Sequence, residues 1–143
     1  MTDKPRFVGE MIRGRMLDYV TLGGARPSRF DGICGYASTS AVADGFVSSN
    51  LIEKVTYDNR PARANQVASC GDVILARMQS TSKVLEIDEE NSGLIYSTGF
   101  AVLTPDSSMI SQRCLFHLLL SAPFRRRKDQ LCTGATQKAI TNA

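Results

Sequence analysis

The most reactive side chains of this 143-residue chain are Cys114 and His117. Spaced i, i+3, they would share one face of a helix, where an imidazole could take a proton from a thiol and create a nucleophile. No third group to orient the imidazole and no oxyanion-binding turn accompanies them. A buried, hydrogen-bonded histidine in a core helix explains the pair with fewer parts. The acidic run Glu86, Asp88, Glu89 and Glu90 could attract a cation, but its members are sequence neighbours and not convergent ligands. It reads as the solvated edge of a strand and turn. Cys34, Cys70, Cys114 and Cys132 lie far apart with no C-x-x-C pair, which speaks against a zinc knuckle or a disulfide scaffold and for free, buried thiols. There is no G-x-x-x-x-G-K-[ST] loop and no G-x-G-x-x-G after a strand. The expectation is a protein that is not an enzyme: no catalytic residue, no metal, no cofactor and no small-molecule substrate.

Charge is more informative. The formal net charge of +3 is unevenly laid down, with segments 1–30, 31–59, 60–83, 84–106 and 107–143 carrying +3, −3, +3, −5 and +5. If folding gathers the basic blocks on one face, that face suits a polyanion. At 15.6 kDa, with 43% hydrophobic and 22% charged residues, residues 1–143 are expected to form one globular domain. No apolar run approaches a membrane span and no signal peptide opens the chain, so a cytoplasmic location without membrane contact is expected.

The elements that must carry these groups are mixed. Gly71 and Asp72 supply a turn into the apolar run Val73 to Arg77, and Lys83 to Ile87 reads as its partner, giving a hairpin with a polar tip. Glu89 to Gly93 form a turn before a strand at Leu94 to Ser97, and Gly99 to Leu103 follow as another buried strand, ended by Pro105. Cys114 to Leu120 is a mostly buried helix that Ser107 or Ser108 could cap. Ser121 and Pro123 interrupt it and begin a shorter helix from Phe124 to Leu131, whose run Arg125 to Lys128 reads as a solvated face. Val8 to Ile12 could be a strand or a helical turn, and residues 23–45 read either as irregular chain or as loops between short strands.

Several segments, in this order, resemble a target-recognition domain of the specificity subunit of type I restriction-modification enzymes. Val8 to Arg15 looks like the opening strand and "rGr" turn, and Arg60 to Arg77 resembles the "PsRArq-v-GDvL-s" segment. Ser97 to Pro105 is similar to "sTGFaVLrP", and the helix around Leu115 to Phe124 to "YLyylLnSpyf". Thr133 to Ile140 looks like the "tGatq-aI" loop. The resemblance implies an α/β (α+β) domain with a bent, mainly antiparallel sheet and flanking helices. It also implies that such a chain reads DNA while partner subunits hold the methyl donor and the nuclease. The sequence departs from the family at Arg77-Met78-Gln79, where many relatives have Arg-Pro, and it stops where the linking helix of the family would begin.

The function so implied is sequence-specific binding of one half of a bipartite double-stranded DNA target. Methyltransferase and restriction subunits would be partners in the full complex. Arg77 and Gln79, at the mouth of the hairpin tip, fit base readout, since arginine bonds guanine and glutamine adenine bidentately. Ser80, Ser82 and Lys83 extend that tip. Arg13, Arg15, Arg60 and Arg63 fit phosphate contact, as do Gln137 and Lys138 in the terminal loop. The alternative is an interaction module that docks to methyltransferase or sister specificity subunits without reading DNA.

Overall fold

Four consecutive apolar side chains, Val73, Ile74, Leu75 and Ala76, are all buried, and this double-sided burial explains the layering of the molecule. In a strand, side chains alternate between faces, so a continuous apolar run requires cover on both. In the computed structural model, which describes residues 18–78 and 83–131, that cover is two helices on one side and a second sheet on the other. Val73 and Leu75 join Val20, Val84, Leu103, Leu115, Phe116 and Leu119 in a core beneath the helices. Ile74 and Ala76 join Leu85, Phe100, Val102, Tyr96 and Ala37 in a core between the sheets.

The described residues form ten strands and two α-helices. The strands are β1 (Val20–Leu22), β2 (Cys34–Ala37), β3 (Val42–Ala43), β4 (Phe46–Val47), β5 (Glu53–Val55), β6 (Ala64–Val67), β7 (Val73–Ala76), β8 (Val84–Glu86), β9 (Ile95–Ser97) and β10 (Phe100–Pro105). The helices are α1 (Gln112–Leu120) and α2 (Ala122–Leu131). One sheet has the order β1-β10-β7-β8, all antiparallel. The other has the order β5-β2-β9-β6, in which only β2 and β9 run parallel. β3 and β4 form a separate small hairpin. The architecture is therefore the mixed, mainly antiparallel one that the resemblance implies, with the sheet divided into two. The hairpin of β7 and β8 is present, and its pairing Leu75 to Val84 is extended by a bond from Ala76 N to Lys83 O at 2.9 Å.

Gly71 enters β7 with φ at +101°, a conformation that only glycine adopts without strain. The buried Asp72 carboxylate accepts Ser69 N–H at 2.9 Å and the Thr104 hydroxyl at 2.8 Å. Gln112 Nε2 of α1 donates to the Asp72 and Ile87 carbonyls, both at 3.0 Å, pinning the helix start to the hairpin ends.

Three expectations about the helices are corrected. The cap of α1 is Ser111, whose hydroxyl accepts Cys114 N–H at 3.0 Å; Ser108 instead bonds Asp106. His117 and Cys114 are exposed, not buried, because Leu115, Phe116 and Leu119 take the sheet-facing stripe and the 3.6-residue period turns positions 114 and 117 outward. Cys70 is likewise exposed and Cys34 half-buried, so the expectation of buried thiols fails for all three described cysteines. Lys128 leaves the solvated run altogether: it is 2% exposed. Among the described residues no helix is long and apolar enough to cross a membrane.

Candidate nucleic-acid interface

β9 and β10 are separated by two residues, Thr98 and Gly99, yet belong to different sheets. This crossing is held from several sides. Thr98 N donates to Arg63 O at 2.9 Å, and Arg77 N donates to Gly99 O at 3.0 Å. Gln66 Nε2 donates to Ser97 O at 3.1 Å and to Phe100 O at 3.0 Å. The backbone of the crossing thus finds hydrogen-bond partners as the chain passes from one sheet to the other, as buried polar groups require.

Basic side chains collect around it. Arg63 is exposed and lays its guanidinium over Gly99: a β-carbon at position 99 would stand 2.5 Å from Arg63 Nη2 and 3.0 Å from Thr39 Cγ2. Arg77, half-buried, donates from Nε to Phe100 O at 3.2 Å. Burial lowers its pKa from the ordinary arginine value, though a guanidinium stays charged in proteins. Lys83 donates its ammonium to Thr39 O. Arg63, Arg77 and Lys83 come from three separate segments: Arg63 and Arg77 meet the turn at Gly99 directly, and Lys83 joins them through Thr39, whose methyl faces Gly99.

Arg60 is placed differently. It donates to the Tyr57 carbonyl, to Ala64 O at 2.9 Å and to Asn65 Oδ1 at 3.3 Å, and its guanidinium lies 4.1 Å from the centre of the Tyr57 ring. Its fork braces the loop leading to Arg63. Arg13, Arg15, Gln79, Ser80, Ser82, Gln137 and Lys138 lie outside the described residues.

Two participants were not anticipated. Gln66 carries no charge and sits mid-strand, so nothing in its type announced a bracing role. Lys128 donates to Ala76 O at 3.2 Å and to Met78 O at 2.9 Å; its i, i+4 spacing from Phe124, which packs on the core, was the available signal.

A concave feature of about 450 Å³ lies toward the far end of β8 between Phe46, Cys70, Ile87 and Gln112. Glu86, Asp88 and Glu90 line it, so its electrostatics disfavour a polyanion. Among the described residues no group of three or more His, Cys, Asp or Glu could hold a metal ion.

No protein-family model and no curated protein matches the chain. Solved structures do. A chain from a structure of the complex assembly and conformational transition of a type I R-M system superposes with a TM-score of 0.71 at 26% identity, over 86% of this chain and 33% of that one. The HsdS subunit from Thermoanaerobacter tengcongensis superposes with a TM-score of 0.68 at 24% identity, over 85% and 33%. The chain carries the fold of the type I specificity subunits. It spans about a third of the length of each of these neighbours. In this specificity-subunit fold two of the segments that carried the resemblance meet in space: Arg63 and Gln66 of the Arg60 to Arg77 segment reach the turn of the Ser97 to Pro105 segment, and Asp72 bonds Thr104.

Proposed function

We propose that the domain is a non-catalytic reader of double-stranded DNA, recognising one half of a bipartite target as part of a type I specificity subunit. Methyltransferase and restriction subunits are its partners in the full complex. The observation that carries this reading is the convergence of Arg63, Arg77 and Lys83 around the Thr98-Gly99 crossing, at the end of the domain away from its acidic cavity. Specific readers need cations that fix register on phosphates beside a few forked side chains that reach base edges. Arg63, exposed and resting on a glycine, suits the phosphate role. Arg77, anchored to Phe100 O through Nε at the end of β7, is the candidate fork for guanine. Lys83 adds charge beside them, with Gln79, Ser80 and Ser82 between it and Arg77 in the sequence. Arg13, Arg15, Gln137 and Lys138 are proposed as further contacts, and Arg60 acts by ordering the loop that presents Arg63.

The test is titration of fluorescent duplex DNA at low salt. A half-reader without its twin forgoes avidity, a factor that reaches ~10² or more, so binding near ordinary non-specific affinities of about 10⁻⁴ to 10⁻⁶ M is expected. Absence of binding in that range would favour an interaction module that docks to methyltransferase or sister specificity subunits.

A further inference from the structure

Lys128 belongs to a basic helical run but does not share its environment. Its ammonium is buried, and it donates to the carbonyls of Ala76 and Met78, the two residues that flank Arg77. In an extended chain alternate carbonyls point to the same side, so these two share one edge and Arg77 presents its own main chain to the other. That other edge is also occupied: Arg77 N donates to Gly99 O and Arg77 Nε to Phe100 O. The main chain carrying Arg77 is therefore gripped from both sides. The grip falls where β7 ends at Ala76, beyond the last bond to β8.

An ordinary helix-to-sheet contact would place an apolar side chain at this position. Burying an ammonium is costly unless hydrogen bonds to the charge offset it, and two of those bonds go to the backbone of the residues on either side of Arg77. We infer that Lys128 is a positioning residue for Arg77. It fixes the direction in which the Arg77 side chain leaves the sheet and so sets base specificity without reaching DNA. The inference rests on the DNA-reading function proposed above.

The experiment compares Lys128→Met with Arg127→Ala, an exposed charge on the same helix, in the full chain. Binding is measured on a duplex selected from a random-sequence library and on its scrambled counterpart. Amide hydrogen exchange is followed without DNA. Lys128→Met is expected to reduce the ratio of selected to scrambled affinity by about tenfold, the size of one misplaced base contact, whereas Arg127→Ala lowers both affinities alike. Exchange at the Arg77 amide should accelerate at least several-fold while Ile74 and Val102 keep their protection. An unchanged affinity ratio, or a loss equal on both duplexes, overturns the inference, as does unchanged exchange at Arg77. If Lys128→Met does not fold, Lys128→Gln, which retains a neutral donor, is judged by the same ratio and the same amide. A wild-type chain that fails to discriminate overturns the DNA reading and with it the specificity role, while the exchange result separately decides whether the grip exists.

Discussion

Asp72 Oδ1 accepts the hydroxyl of Thr104 at 2.8 Å across 32 residues of sequence. The bond joins the turn that opens β7 to the end of β10, the strand beside it. Asp72→Asn replaces one carboxylate oxygen with a donor in a pocket where Ser69 N–H and the Thr104 hydroxyl already donate. A loss of about 1–3 kcal/mol is expected, the cost of an unsatisfied buried polar group. Urea unfolding of Asp72→Asn, Thr104→Val and the double variant should return a coupling of about 0.5 kcal/mol or more; additive losses would show that the two groups act separately.

Gln66→Leu should destabilise the domain by about 1–3 kcal/mol, because it removes the amide that bridges Ser97 O and Phe100 O and leaves Phe100 O with Arg77 Nε alone among its side-chain donors. Chemical denaturation measures it. A melt equal to wild type would mean that other donors replace the amide.

At Gly99 an added β-carbon conflicts with the flexible end of Arg63 and with the Thr39 methyl. Gly99→Ala is therefore expected to fold but to displace Arg63, lowering DNA affinity more than stability. Gly99→Val adds two more carbons in the same space and should be severe, with overpacking losses of about 1–3 kcal/mol or beyond. Thermal melts and anisotropy on the two variants separate the effects; a Gly99→Val melt within a degree of wild type would show that the crossing has room.

For the proposed contacts, Arg63→Ala is expected to weaken binding by a similar factor on every duplex and to reduce the slope of log affinity against log salt by about one counterion. Arg77→Ala should cost ~1–3 kcal/mol on the selected site and little on scrambled DNA. Equal losses on both duplexes would remove Arg77 from base readout.

Tyr96 is fully buried and donates its hydroxyl to Asn91 O at 2.7 Å. Burial first, and the Asp88 charge second, raise its pKa well above the ordinary tyrosine value. A group that holds its proton more tightly when folded contributes stability that is complete below its unfolded pKa of about 10 and is lost as pH rises toward the folded value. Unfolding should therefore become easier above about pH 10, and one of the four tyrosines should ionise only with unfolding, as ultraviolet difference titration would show. Tyr96→Phe is expected to remove that share of the alkaline dependence.

Local chemistry made much of this domain legible in advance. Gly71-Asp72 before an apolar run, and a polar tip before Lys83 to Ile87, specify a hairpin because turn geometry and alternation act between near neighbours. The break at Ser121 and Pro123 specified two helices for the same reason. The motif order pointed to the specificity-subunit fold, which the superpositions bear out. Periodicity could not say which partner each strand finds: β9 and β10 are separated by only two residues in sequence, yet Thr98-Gly99 carries the chain from one sheet to the other, and β9 pairs in parallel with β2. Nor could composition say that Cys114 and His117 face outward while Lys128 turns in, since each outcome depends on which helical stripe meets the sheet. Arg63, Arg77 and Lys83 could be named from their residue types alone, because positive charge is a property of the side chain. That Arg63 and Arg77 meet at Gly99 and Lys83 joins them through Thr39, with Gln66 bracing the turn and Lys128 gripping the strand end, is a matter of distances across 20 to 50 residues of chain, and only the packed tertiary structure sets those distances.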